Sequence, residues 1–256
     1  MTKSRTRLSA LAGFILIVVS ACSNPTGANS KGVSLSFASK IHPAPSVVGA
    51  NRVNLLTQTV GTDVLVITKA QIVMSKIELA TTATAMCTAD SSSSSECEEL
   101  HANPSLVDLP TDASVTTSLV TTVPAGTYSA FEAKIKAVLT GDPGAADFLA
   151  ANPAFNGVSV HVVGTWNGTP FTYDGAANAE LELTFATPIV VDATGMNITV
   201  NVDLSTWFVD GSGKLVDPTT ANSGGANESL VAGNIHKSFE AFEDDNKDGT
   251  DDSKQH

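Results

Sequence analysis

Val158-Ser159-Val160-His161-Val162-Val163-Gly164-Thr165-Trp166-Asn167-Gly168-Thr169-Pro170-Phe171-Thr172-Tyr173 decides the fold. Val158 to Trp166 is a short β-branched run, and Pro170 to Tyr173 is another. Between them, Asn167-Gly168 supplies the two residues that best tolerate positive φ, so the stretch predicts a β-hairpin closed by a tight turn. Upstream, Tyr128, Ala130, Glu132 and Lys134 alternate with Phe131, Ala133 and Ile135, a two-residue period running from Tyr128 to Leu139. Pro124-Ala125-Gly126 presets one φ and frees another, a turn between that strand and Val115 to Val123. Downstream, Glu180 and Glu182 alternate with Leu181, Leu183 and Phe185, followed by Pro188 to Asp192 and Asn197 to Leu204.

The same period continues toward the N-terminus. Val33, Leu35, Phe37 and Ile41 alternate with Ser34, Ser36 and Lys40, and Val53 to Val60, Asp63 to Thr68 and Leu106 to Leu109 add further strands. Ala70 to Leu79 slips its alternation once, near Ser75, which predicts a β-bulge. Mid-chain helix is confined to about Ala145 to Ala151, inside the loop from Gly141 to Pro153. Roughly ten short strands with almost no intervening helix predict an all-β fold, an antiparallel β-sandwich. No internal repeat divides it.

Residues 1–21 read as a secretory signal. Lys3, Arg5 and Arg7 precede an apolar stretch from Leu8 to Val19 that is too short to span a bilayer stably. Val19-Ser20-Ala21-Cys22 resembles the bacterial lipobox, which implies diacylation of the Cys22 thiol and cleavage before it. Several acyl chains on one residue give an anchor that one chain does not. Ser23 implies delivery to the outer membrane, because retention follows Asp at that position. The domains expected are therefore a signal peptide (1–21), a lipidated tether (22–32), a β-sandwich (33–222) and a helix with an acidic tail (223–256).

The precursor carries 14 basic and 26 acidic residues. Three of the basic ones lie in the signal with no acidic ones, so the mature chain has 11 against 26, a net charge of −15. Such a chain is repelled by polyanions, which argues against a nucleic-acid partner. No later apolar run reaches 18 residues, so the membrane is met through lipid alone. Cys87 and Cys97 bracket a serine-rich loop. In an oxidising compartment that pattern predicts a disulfide, stabilising by roughly 2–3 kcal/mol. Nine intervening residues match no zinc spacing.

Ile72-Val73-Met74-Ser75-Lys76-Ile77-Glu78-Leu79, Val107-Asp108-Leu109 and Val123-Pro124-Ala125-Gly126-Thr127-Tyr128 together resemble a family of bacterial surface lipoproteins that carry a domain of unknown function. The resemblance covers about Val33 to Leu204. It implies a transthyretin-like or immunoglobulin-like sandwich and a surface address, and it supplies no catalytic residue.

Candidate chemistry is sparse. His42, His101, His161, His236 and His256 show no metal-ligand spacing, and no nucleophile elbow, phosphate loop or zinc-protease motif occurs. Glu180 and Glu182 lie about 7 Å apart on one strand face, a glycosidase-like separation, but the pattern is that of a solvated strand face. Trp166 and Tyr173 flank the hairpin turn, either as a cross-strand pair or as a small sugar-stacking platform.

At the C-terminus, Val231, Ile235, Phe239 and Phe242 share one stripe at helical spacing, which predicts a docked helix with Asn234 as N-cap. Asp244-x-Asn246-x-Asp248-Gly249 follows, with Thr250 and Asp252 beyond. Oxygen side chains at alternate positions before a glycine are the spacing of a calcium loop, and the segment resembles thrombospondin type 3 and dockerin loops. Gln255 stands where an EF-hand has its bidentate Glu, so the expected affinity is about 10⁻⁴–10⁻³ M. The expectation is a non-enzymatic, lipid-anchored envelope protein with a binding or structural role toward a surface partner or glycan. The alternative is an extracellular carbohydrate-binding module or hydrolase.

Overall fold

One long strand organises the molecule. The computed structural model describes residues 30–40, 56–82, 97–101, 103–112, 114–192 and 194–252. Within it, β3 (Asp63–Ala80) joins the two runs expected as separate strands. Its first half pairs with β2 (Leu56–Val60) on one edge and with β8 (Val160–Trp166) on the other. β5 (Ser105–Leu109) pairs farther along, and the last residues lie between β4 (Cys97–His101) and β7 (Gly126–Ile135). The register against β7 shifts between Met74 and Lys76, so Ser75 is the extra residue of the expected bulge. With β9 (Thr169–Gly175) outside β8 and β10 (Ala179–Val191) outside β7, this makes an eight-stranded sheet.

The second sheet runs β12 (Phe239–Glu243), β11 (Met196–Asp203), β1 (Ser30–Lys40), β6 (Val115–Pro124). The two sheets share one core. Val33, Leu35 and Phe37 of β1 and Ile198, Val200 and Val202 of β11 meet Leu65, Ile72, Phe131 and Leu181 of the larger sheet. A smaller apolar cluster lies on the other face of the larger sheet, where α1 (Ala145–Ala151) lays Phe148 over Val73 beside Phe155. The mostly antiparallel sandwich and the mid-chain helix follow from the sequence pattern. β4 and β12 do not, since neither shows a long enough alternation.

Two expectations need correction. The sandwich is not wholly antiparallel: β1 and β11 pair in parallel over Val33–Lys40. Nor does one helix carry the C-terminal stripe. α2 spans Glu228–His236, Asn227 stands at its N-cap position, and Phe239 and Phe242 belong to β12. The free edge of β11 explains the difference. Pairing Phe239-Glu240-Ala241-Phe242-Glu243 there satisfies backbone groups and turns Phe239 and Ala241 onto the core. Asn234, inside α2, donates instead to the carbonyls of Trp207 and Val209.

The hairpin closes as expected, with Asn167 at φ 49° and Gly168 at φ 82°. Gly164 is required by a close approach: a Cβ there would lie 1.9 Å from the Val66 carbonyl oxygen on the neighbouring strand.

Candidate functional site

The acidic loop after β12 is the best-organised polar region. Asp244 is buried at 0% exposure. Its Oδ1 accepts from the Asp248 N–H at 2.9 Å, and its Oδ2 accepts from the Gly249 N–H at 3.0 Å and the Thr199 hydroxyl at 2.7 Å. Asn246 Oδ1 accepts from the Asp248 N–H, and Asp248 Oδ1 from the Thr250 N–H and hydroxyl. Those donors from Thr250 hold the Asp248 carboxyl below its ordinary pKa. Asp252 closes the loop by accepting from the Asp245 N–H at 2.9 Å.

The loop covers the outer face of β1 and β11. There Asn197 Oδ1 accepts hydrogen bonds from the Ser34 and Ser36 hydroxyls, both at 2.7 Å, and its amide NH2 donates to the Thr199 hydroxyl and to the Asp244 carbonyl. Lys247 Nζ reaches Thr117 at 3.1 Å. Alternation puts Asn197 and Thr199 on this face while Ile198 and Val200 face the core.

The structure thus brings Asp244, Asn246, Asp248, Thr250 and Asp252 into one loop, with the first three turned toward the loop's own N–H groups. Among the described residues, no group of three or more His, Cys, Asp or Glu is arranged to hold a metal. Cys22, Cys87, His42 and His256 lie outside the described residues; Cys97 opens β4.

The remaining candidates separate. Glu180 pairs with Lys134 at 2.7 Å, which holds its carboxyl below the usual glutamate range, and Glu182 sits opposite Glu132. Both are exposed strand-face residues. His161 Nδ1 meets Asp174 Oδ1 at 2.7 Å, with the Phe155 ring 5.9 Å away. His236 Nε2 lies 3.1 Å from the Glu180 carbonyl.

Trp166 and Tyr173 form neither a pair nor a platform. Trp166 registers with Thr169 and Tyr173 with Val162, four residues away along the strand. Tyr173 is 1% exposed and packs edge-on against Phe208, and burial pushes its phenol up to about 12.

Sequence reasoning missed one feature. A pocket of about 370 Å³ between β3, β7 and the loop before α1 is lined by Ser75, Lys76, Lys134, Lys136, Asp142 and Asn178, with Lys136 Nζ 3.1 Å from the Asp142 carboxylate. Only the Ser75 bulge signalled it, because Lys76 lies far in sequence from Lys134 and Lys136.

No family model and no curated protein matches the chain. Among solved structures it is similar to MbnP from Methylosinus trichosporium, at 14% identity and a TM-score of 0.39, over 84% of this chain and 99% of that one.

Proposed function

We propose that the protein is a non-catalytic lipoprotein of the bacterial cell envelope, anchored through Cys22 and presenting its sandwich for a binding or structural role. The observation that carries this reading is the placement of Val19-Ser20-Ala21-Cys22 directly after a charged and then apolar leader, a short way ahead of β1. Seven residues separate the lipid site from β1, and eight fully extended steps from Cys22 to Ser30 span at most about 29 Å. The domain would therefore stay close to the bilayer, where its acidity keeps it off anionic lipid. The glycan-binding alternative loses its support with Tyr173 in the core.

The finer type of sandwich, transthyretin- or immunoglobulin-like, is part of the same proposal and draws on two face-packed sheets that are antiparallel apart from one pair. So are the Cys87–Cys97 disulfide and a calcium ion taken by the Asp244–Asp252 loop. For the ion, support comes from the closed loop and the alternate oxygen side chains; binding would require Asp244, Asn246 and Asp248 to exchange N–H donors for the cation.

Fractionation of a Cys22→Ser variant tests the anchor. It should stay unprocessed or leave the membrane fraction; a variant that is cleaved and sediments with membranes like the parent rules the anchor out.

A further inference from the structure

Another pocket opens on the outer face of the smaller sheet, over the first residues of β1. It holds about 420 Å³, within the size of small-ligand sites, and is walled by Gly32, Ser34, Val120, Asn197, Asp245 and Lys247. Its two charged side chains, Asp245 and Lys247, are opposite in sign, yet they do not pair with each other. Among the described residues neither forms an ion pair at all.

That separation is built by the loop. Lys247 is surrounded in sequence by Asp244, Asp245 and Asp248, but its ammonium turns to the Thr117 hydroxyl on β6, 3.1 Å away. The Lys247 N–H closes a turn onto the Asp244 carbonyl at 3.3 Å, and the residue takes φ 59°, an uncommon value for a side chain with a Cβ. Asp245 is pinned from the other side, with Oδ1 accepting from the Asn197 N–H at 3.0 Å. Its Oδ2 has no partner among the described residues and remains open to a donor.

We propose that this pocket seats the head group of a zwitterionic phospholipid, a phosphodiester joined to a primary ammonium as in phosphatidylethanolamine. Lys247 Nζ donates to a phosphodiester oxygen, and the ammonium of the lipid donates to Asp245 Oδ2. The carbon link within the head group keeps its two charges apart, so it is matched by an acid and a base held separately. A wall of one carboxylate and one ammonium gives an anionic head group no such match. Val120, 74% exposed, borders the same pocket and offers its apolar surface to the glycerol and acyl carbons, whose contact removes it from water. The choice of a lipid rests on the anchor proposed above: ten extended steps from Cys22 to Gly32 span at most about 36 Å, which keeps the pocket within tether range of the bilayer.

Titrating dihexanoyl phosphatidylethanolamine, below its micelle concentration, into the full chain in a phosphate-free detergent tests the site, followed by ³¹P line broadening. The parent should saturate, and Asp245→Asn and Lys247→Gln should each bind at least tenfold more weakly while keeping the parent's circular dichroism. Asparagine retains the acceptor for the Asn197 N–H, so its effect reads the lost charge and not the loop. Dihexanoyl phosphatidylglycerol, which lacks the ammonium, should bind the parent at least tenfold more weakly and be indifferent to Asp245→Asn. A parent that shows no saturable broadening, or either variant binding as the parent does, overturns the proposal. Glycerophosphoethanolamine binding as tightly as the lipid, with Val120→Ser without effect, overturns the membrane assignment in favour of a soluble zwitterion. Cys22→Ser protein should bind the lipid as the parent does, so failure of the anchor and failure of the pocket give different results.

Discussion

The outer faces of the two sheets solve the same problem in opposite ways. On the smaller sheet, Ser34, Ser36, Asn197 and Thr199 are neutral and form one hydrogen-bond network beneath the acidic loop. On the larger sheet, Lys76, Lys134, Glu132, Glu180 and Glu182 are charged, and the Lys134–Glu180 pair is largely open to water. Neutral groups are cheap to bury once every donor and acceptor is met; charges are cheap only while solvated. The covered face is therefore cooperative and costly to disturb, while the open face is tolerant.

The sharpest way to break the comparison is to remove Asp244. Asp244→Ala takes the acceptor from the buried Thr199 hydroxyl and from the Gly249 N–H, and leaves the Asp248 N–H only Asn246 Oδ1. The expected loss is on the order of 3 kcal/mol, since each buried polar group left unsatisfied costs about 1–3 kcal/mol. Urea unfolding measures it, and a loss under about 1 kcal/mol would show that the loop merely rests on the sheet.

A second measurement sharpens the covered side. Calorimetry at millimolar calcium should give a binding heat for the parent and none for Asp248→Ala, whose lost side chain is exposed and contributes little to the fold. Identical traces mean that the loop is a cap on the sheet and not an ion site.

How much of this was legible in the sequence follows the same division. Two-residue alternation places β7, β8, β10 and β11, and the Asn167-Gly168 turn is read correctly, because each is a local property of the backbone. The break in alternation at Ser75 likewise announces its bulge. The spacing of Phe239 and Phe242 from Val231 and Ile235 fits a helix; the edge of β11 that makes them a strand is about forty residues away. The acidic loop was found by its spacing, but its burial on Thr199 and Asn197 is a tertiary contact that spacing does not encode. The lysine pocket was invisible for a related reason: Lys76 and Lys134 become neighbours only through cross-strand register.

The smallest effect belongs to the open face. Lys134→Ala removes the partner of Glu180 and should cost less than about 1 kcal/mol at low salt, because the pair is solvated and both side chains are long. Added salt should shrink the difference from the parent, as it screens exposed charges beyond about 8 Å at physiological strength. The pH dependence has a definite sign. Lys134 holds the Glu180 carboxyl below its ordinary value of 4.5, so the folded state favours the ionised form. That contribution is present above pH 4.5 and is lost as pH falls through the lowered folded-state pKa. Parent and Lys134→Ala should therefore converge in stability in acid and separate slightly at neutral pH. A neutral-pH, high-salt difference as large as that of Asp244→Ala would mean that the lysine row is a packed structural element, and the contrast between the two faces would fail.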